Sequence, residues 1–255
     1  MLAIERREQI LELLRQQKRV LVGELSRQYN VSEETIRRDL ERLEREGYAT
    51  KTYGGAVFRE EAQNEPPFSV REKTNVREKQ SIASLVAELL QDGERIMLDE
   101  SSTSVFVARQ IANKRNMTLI TNSLEVMLSL SAGAGWNILS TGGSLKANSL
   151  ALVGNQAENM IRTYHVNTAI ISCKGLDEGY GLSDAGDDSA QIKRAMIEAA
   201  DRVILAVDHS KFNHISFVKL CDLQKIDLVV TDREPSPIWR ELFREAGVDC
   251  LYPEL

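Results

Sequence analysis

The sequence predicts two parts of unequal size: a small helical module that closes on a β-hairpin, then a larger α/β domain built on a largely parallel sheet. Three observations predict it. Capped amphipathic helical patterns fill the first sixty residues. Short apolar runs then alternate with helical patterns to the end of the chain, as they do where a parallel sheet is covered on both faces. Charge divides at the same place. Residues 1–59 carry 12 Lys+Arg and 10 Asp+Glu, a net of +2, and the rest carries 20 and 28, a net of -8; together these give the overall -6. A nucleic-acid surface needs only local positive charge, so the acidic total does not exclude one.

The first helix lies in "REQILELLRQQ", with Ile10, Leu13 and Leu14 on one face. A short second helix follows in "VGELSRQYN", with Leu25 and Tyr29 on one face. Asn30 and Val31 then separate it from "VSEETIRRDLERLEREG". Ser32 is the N-cap of that third helix, Glu33 and Glu34 suit its positive end, and Gly47 reads as the C′ residue. Ile36, Leu40 and Leu43 form one buried stripe. At 100° per residue Glu34 and Arg38 point away from the stripe, with Thr35, Arg37 and Arg42 on its flanks. The outward face thus presents donors and a hydroxyl near the helix start, where a recognition helix meets base edges.

In "YATKTYGGAVF" β-formers flank Gly54-Gly55, which reads as a two-residue hairpin turn. A hairpin directly after the third helix is a wing, with Lys51, Thr52, Tyr53 and Gly54 reaching backbone phosphate. The candidate DNA-binding residues are therefore Ser32, Glu34, Thr35, Arg37, Arg38, Arg42, Lys51, Thr52, Tyr53 and Gly54. The competing reading is a solvated helix whose arginines pair with Asp39, Glu41 or Glu44. Three helices and a wing in order favour DNA.

The stretch "REEAQNEPPFSVREKTNVREKQ" is charged and poor in apolar residues, and Pro66-Pro67 suits an extended connection. The expected organisation is a DNA-binding domain over residues 1–58, a linker over 59–74 and a second domain over 75–255. That domain opens with a helix carrying Ile82, Leu85, Val86, Leu89 and Leu90. The runs "RIMLD", "MTLIT", "WNILST", "NTAIIS", "RVILAVD" and "IDLVVT" read as strands buried on both faces. "TSVFVARQIANK", "SLEVMLSLSA", "ALVGNQAENMIRTY", "DSAQIKRAMIEAA" and "SPIWRELFREAG" read as the intervening helices.

Ligands of such sheets sit outside the carboxyl ends of the strands. Four loops there carry suitable chemistry. "DESSTS" offers backbone N–H groups and the hydroxyls of Ser101, Ser102 and Thr103 at a helix start, beside Asp99. "TNS" contributes Thr121 and Asn122. "TGGSLKANS" contributes Gly142-Gly143, which permits close backbone approach, and Lys146 adds charge. "DHSKF" contributes Lys211. Donors plus positive charge suit a phosphate, and Asp99 and Asn122 suit sugar hydroxyls. Each loop alone reads as capping or turn chemistry; together they read as a site.

Arg6 to Phe58, with "EETIRRDLERLEREG" followed by "TYGGAV", closely resembles the winged helix-turn-helix of the DeoR family of bacterial sugar-metabolism regulators. The resemblance continues more loosely through most of the remaining chain. It implies a second domain similar in fold to ribose-5-phosphate isomerase and CoA-transferase-like proteins. It matches "DESST" to a phosphate loop and "DHSK" to a D-x-S-K segment, and it places Lys174 and Asp177 of "CKGLDEGYGLSD" in the same cleft. The chain departs from the family at Ser101, where a glycine is usual, and it lacks the full isomerase motifs.

The expected function is a DNA-binding regulator, a repressor of a carbohydrate-metabolism operon released by a phosphorylated sugar or polyol. It is expected not to be an enzyme and to need no cofactor. A single small module makes few contacts, so a homodimer or tetramer on double-stranded operator DNA is expected. The alternatives are an active isomerase using Asp177, Glu178 or Asp184 as base, or a ligand-dependent activator. Three cysteines far apart fit reduced thiols in the cytoplasm, and neither they nor the three histidines have metal-ligand spacing. No apolar run approaches the ~18 residues of a membrane helix, and the start has no secretion signal.

Overall fold

A computed structural model describes residues 3–45, 48–58, 65–131 and 135–253. The chain forms two compact units, residues 1–70 and 71–255. Gly47, expected to end the third helix, and residues 59–64 of the expected linker lie outside the described residues.

The first unit runs α1 (Ala3–Gln17), β1 (Arg19–Leu21), α2 (Val22–Tyr29), α3 (Glu33–Arg45), β2 (Ala49–Thr52) and β3 (Gly55–Phe58). Local chemistry sets the joint between α2 and α3. Asn30 closes α2 in the left-handed region at φ 51°, which asparagine tolerates. The Ser26 hydroxyl then donates to Val31 O at 2.6 Å. Ser32 caps α3 as expected: the Thr35 N–H donates to Ser32 Oγ at 3.2 Å. Ile10 and Leu14 of α1, Val22 and Leu25 of α2, and Ile36, Leu40 and Leu43 of α3 close one core with Val20, Ala49 and Ala56. Leu13 lies at its edge, only partly buried.

Three features of this unit differ from the sequence reading. Asp39, a surface partner of the α3 arginines in the competing reading, is buried and accepts from Arg6 Nε at 2.6 Å, so it locks α1 to α3. The strand β1 was not expected; it pairs with β3 and makes a three-stranded sheet in the order β1-β3-β2. The hairpin turn is Tyr53-Gly54, not Gly54-Gly55, because Thr52 pairs with Gly55. Gly55 is a strand residue beside β1, where a Cβ would lie 1.9 Å from Val20 O.

The second unit follows a helical turn, α4 (Phe68–Arg71), set within the segment expected to be extended. Pro67 precedes it and suits a helix start, and its carbonyl accepts from the Val70 N–H at 2.9 Å. Then come α5 (Val76–Leu89), β4 (Arg95–Leu98), α6 (Ser102–Gln110), β5 (Met117–Thr121), α7 (Leu124–Leu130) and β6 (Trp136–Ser140). A hairpin of β7 (Ser144–Lys146) and β8 (Ala151–Val153) leads to α8 (Asn155–Arg162) and β9 (Val166–Ile171). The chain continues with β10 (Gly175–Asp177), β11 (Gly181–Asp184), α9 (Asp187–Glu198), β12 (Ala200–Ala206), β13 (Val218–Cys221), β14 (Leu228–Val230), α10 (Pro237–Ala246) and β15 (Asp249–Leu251).

The six expected strands are all present in one seven-stranded sheet, in the order β15-β14-β12-β9-β4-β5-β6, and every pairing in it is parallel. Ile96, Met97 and Leu98, Ile170 and Ile171, and Ile204 and Leu205 are fully buried in its centre. β6 is half-exposed rather than buried on both faces, because it is an edge strand. β15 at the other edge and the antiparallel sheet β10-β11-β13 were not anticipated. The helix expected from Ala151 begins only at Asn155; residues 151–153 are β8, and Gly154 at φ 96° separates the two.

Candidate functional site

On α3 the residues opposite the buried stripe all face solvent: Glu33, Glu34, Arg37, Arg38, Glu41 and Arg42. Arg38 has 77% of its side chain exposed. Arg37 Nη2 lies 2.7 Å from Glu33 Oε2, and Arg38 Nε lies 3.6 Å from Glu34 Oε1. Exposed pairs of this kind are worth about 0–1 kcal/mol, so a phosphate or base edge can displace the glutamates. Ser32 Oγ and Thr35 Oγ1 lie 2.9 Å apart at the helix start. The hairpin tip carries Tyr53, fully exposed, beside Thr52 and Gly54, also exposed.

Lys51 is engaged by α3. Its ammonium lies 2.7 Å from Glu41 Oε1, and its N–H donates to Glu44 Oε1 at 2.8 Å. The Lys51 N–H ties the hairpin to α3, while its ammonium sits in a partly exposed pair as easily displaced as those of Arg37 and Arg38.

In the second unit β12, β9, β4, β5 and β6 are consecutive in the sheet, so the four loops singled out above, and the one after β9, emerge side by side at its carboxyl edge. The loop after β4 is held by its own side chains and by the β9 end. Asp99 Oδ1 accepts from the Ser101 N–H (3.0 Å) and the Ser104 hydroxyl (2.5 Å), and Oδ2 accepts from the Ser172 N–H (2.8 Å). Ser101 caps α6 through the Ser104 N–H at 3.0 Å. This consumes two of the N–H groups that a helix start leaves open. Those of Ser102 and Thr103 remain, and among the described residues neither these groups nor the two hydroxyls have a partner outside the helix.

Asp99 was expected to meet ligand hydroxyls. It is instead 0% exposed and spent on its own loops, joining the β4 end to the β9 end. Thr121 is likewise engaged: its hydroxyl donates to Leu98 O at 2.7 Å and accepts from the Ser123 N–H. Asn122, fully buried, donates through Nδ2 to Glu100 Oε2 (3.1 Å) and Leu152 O (3.2 Å), while its Oδ1 has no partner among the described residues. Gly142 is exposed, at φ 63°. Gly143, at φ 101°, is a glycine for a structural reason: a Cβ would lie 2.5 Å from Val153 O. Lys146 lies 3.8 Å from Asp188. Lys174 is half-buried after β9, and its N–H donates to Ser183 O at 2.9 Å. Asp177 Oδ1 accepts from the Gly179 and Tyr180 N–H groups and shapes the β10–β11 turn, while Leu176 before it bridges to Phe212 of the Lys211 loop. Lys211 is half-exposed in the short 3₁₀ turn His209–Lys211.

Sequence reading missed the charge beneath these loops. Lys193 of α9, with 3% of its side chain exposed, lies 2.5 Å from Asp184, 3.4 Å from Asp99 and 3.8 Å from Glu100. Burial works to lower the Lys193 ammonium, but Asp184, Glu100 and Asp99 outweigh it and hold it well above the usual lysine range. Burial works to raise the Asp99 carboxyl; Lys193 and the hydrogen bonds from Ser101, Ser104 and Ser172 hold it below the usual range. Asp208 behaves alike, lowered by Lys211, the Ser210 hydroxyl and N–H, and Lys79 against the effect of burial. No local pattern marks Lys193, since Asp184 lies nine residues before it, beyond a helical turn, and Asp99 and Glu100 lie far away in the chain. Cys173, at the end of β9, is a buried thiol pushed up to about 12 by burial and by Asp184, so it is no thiolate nucleophile. The three cysteines are free.

The DeoR-like helix-turn-helix domain matches residues 6–62, and the DeoR C terminal sensor domain matches residues 74–233. An uncharacterized HTH-type transcriptional regulator, YulB of Bacillus subtilis, is 40% identical over 93% of this chain and 92% of its own length. The glycerol-3-phosphate regulon repressor of Escherichia coli is 32% identical over 91% of each chain. Among solved structures, ribose 5-phosphate isomerase A from Methanocaldococcus jannaschii aligns over 55% of each chain at 18% identity, with a TM-score of 0.41. Among the described residues no helix is long and apolar enough to cross a membrane. With a capped, solvent-facing α3 followed by its hairpin, a sensor-domain match over residues 74–233, and relatives matched along nearly their whole length, the chain belongs to the DeoR family of DNA-binding transcriptional regulators.

Proposed function

We propose that the chain represses a carbohydrate-metabolism operon and leaves its operator when a phosphorylated sugar or polyol binds the second domain. The observation that carries this is the edge of the sheet. There the N–H groups and hydroxyls of Ser102 and Thr103, unpartnered among the described residues and buried at the start of α6, share one side with Lys174 and Lys211 from the nearby strand ends. Phosphate asks for donors and positive charge; Asn122 Oδ1 is an acceptor for a ligand hydroxyl. Asp99, Ser101, Thr121 and Gly143 hold that edge in shape, and Gly142 lies open beside it. The similarity to a glycerol-3-phosphate regulon repressor supports a phosphorylated polyol or sugar as the class.

The reader is residues 1–58, the connector 59–74, and the ligand-binding and oligomerising part 75–255. Arg37, Arg38 and Arg42, with Ser32, Glu34 and Thr35 at the helix start and Thr52, Tyr53 and Gly54 at the hairpin tip, face the operator; Lys51 holds the hairpin against α3. Two or four copies bind together, since one reader offers few contacts. Ligand acts by binding the operator-free state more tightly, and reciprocity requires that operator binding weaken ligand binding equally. Catalysis is disfavoured by how the three candidate carboxylates are used. Asp177 shapes a turn, Glu178 is exposed beyond it, and Asp184 is held by Lys193. The protein acts in the cytoplasm, where operator and phosphorylated metabolites meet.

The test is a thermal-shift screen against phosphorylated sugars and polyols, then titration of the best ligand into the operator complex. Release on ligand addition is expected. If ligand tightens the complex, the protein is an activator; if no phosphorylated compound stabilises the protein, the ligand class is wrong.

A further inference from the structure

The loop that carries Lys211 is gripped from the start of α5. The Asn75 amide donates to Asp208 Oδ1 at 3.1 Å and lies 3.5 Å from the Ser210 hydroxyl. One turn later Lys79, only 5% exposed, sends its ammonium to the carbonyls of Arg71, at 2.6 Å, and Thr74. The Lys79 N–H closes the turn on Asn75 O at 3.1 Å. Asn75 itself stands at φ 50°, a left-handed bend that asparagine tolerates when its surroundings hold it there. Residues 71–75 are thus tied at one end to the Lys79 ammonium and at the other to the ligand loop.

Charge makes this knot responsive. Burial pushes Lys79 down to about 8; Asp208 opposes that, while Lys211, Lys174 and Arg71 add to it. Lys79 therefore feels the same cations that a bound phosphate would neutralise. An anion beside Lys211 relieves the crowding of positive charge around Lys79 and competes with Asp208 for Lys211.

We propose that Asn75 and Lys79 are positioning residues of the ligand site. They carry its occupancy into residues 71–75, the segment by which the chain enters the second unit from the DNA-reading one. This rests on the reading of the strand-end loops as the effector site. Ligand then has a differential effect on the entry segment, as any ligand-driven switch requires.

The experiment uses the full chain with inorganic phosphate as probe, against sodium chloride at equal ionic strength. Two readouts are taken: the melting temperature of the second unit, and backbone hydrogen exchange over residues 71–79. In wild type, phosphate raises the melting temperature and changes exchange at the Thr74 and Lys79 amides on the order of tenfold. Asn75→Gly removes the amide but accepts the left-handed bend. It should weaken the phosphate-dependent rise, because the Lys211 loop loses its grip, and lose the exchange response. Lys79→Met should likewise lose the exchange response, and because Lys79 is buried, Asn75→Gly is the variant that decides if Lys79→Met does not fold. A rise in melting temperature with no exchange response in wild type overturns the coupling and leaves the site standing. So does a response that survives in Asn75→Gly. If phosphate stabilises wild type no more than Lys211→Ala, the site reading fails and the coupling with it.

Discussion

The outer face of α3 and the strand-end loops of the second unit keep their charge in opposite places. On α3, Arg37 and Arg38 stand in water, paired loosely with glutamates one turn away. In the second unit, Asp99, Glu100, Asp184 and Lys193 are sealed beneath the loops, and Asp208 and Lys79 are nearly so. A surface that meets a polyanion from bulk solvent gains from exposed, weakly held charge: the pairs cost little to break, and the partner brings its own counter-charge. A site that must hold several loops in register for a small ligand uses buried charge, which is costly to leave unpaired and hence rigid. Charge substitutions should therefore act on binding at the α3 surface and on folding beneath the strand-end loops.

Lys193→Met should break the comparison hardest if it is wrong. It leaves Asp184, Asp99 and Glu100 buried without their cation, and breaking a buried pair costs about 3–5 kcal/mol. Denaturant unfolding of the second unit reads this directly, and a loss below about 1 kcal/mol would show that the cluster is wet. The carboxylates predict a pH effect of known sign. Asp99 and Asp208 are held below the usual range, so their contribution is present above the unfolded value of about 3.9 and is lost as pH falls through the folded value. Acid melts should show the second unit weakening below about pH 4.

Lys211→Ala should act on ligand instead of fold, because Lys211 is half-exposed. A charge-assisted bond lost is about 1.5–3 kcal/mol, so affinity for the effector should drop roughly ten- to more than a hundredfold. Operator binding without ligand should stay as in wild type. Equal ligand concentrations releasing both proteins would remove Lys211 from the site.

Gly55→Ala sharpens the comparison within the first unit, whose fold depends on packing more than on charge. The new Cβ would lie 1.9 Å from Val20 O, which is backbone, so a strand must move, at about 1–3 kcal/mol. Chemical denaturation measures it, and a neutral result would show that β1 yields freely. Smallest of all for stability is Arg38→Ala, expected within about 0.5 kcal/mol of wild type by melting. Its effect appears in operator titrations at several salt concentrations, where affinity falls and the salt slope drops by about one contact. Unchanged operator affinity would take α3 out of the interface.

Some of this was legible because it is local. The Ser32 cap, the Ile36/Leu40/Leu43 stripe and the apolar strand runs each declare themselves within a few residues. So did the hydroxyl-rich and lysine-bearing loops at the strand ends. The hairpin turn was misplaced by one residue because the demand for glycine at position 55 comes from Val20, across a strand that three residues of sequence hardly announce. Gly142-Gly143 looked like room for a ligand, yet at Gly143 the close neighbour is β8.

What the sequence determined by itself is the kind of element at each place and the residues offered at its ends. These follow from periodicity, capping and turn preferences, which act over one or two turns of chain. Only the tertiary structure decided which ends stand together and which charges lie beneath them. Lys193 meets Asp99, and Asn75 meets Asp208, because the strand order β12-β9-β4 folds distant segments side by side. A carboxylate's role turns on what surrounds it in space. Asp99 in a sequence is a candidate for any hydroxyl, and in the sheet edge it is already satisfied by two loops and a buried lysine.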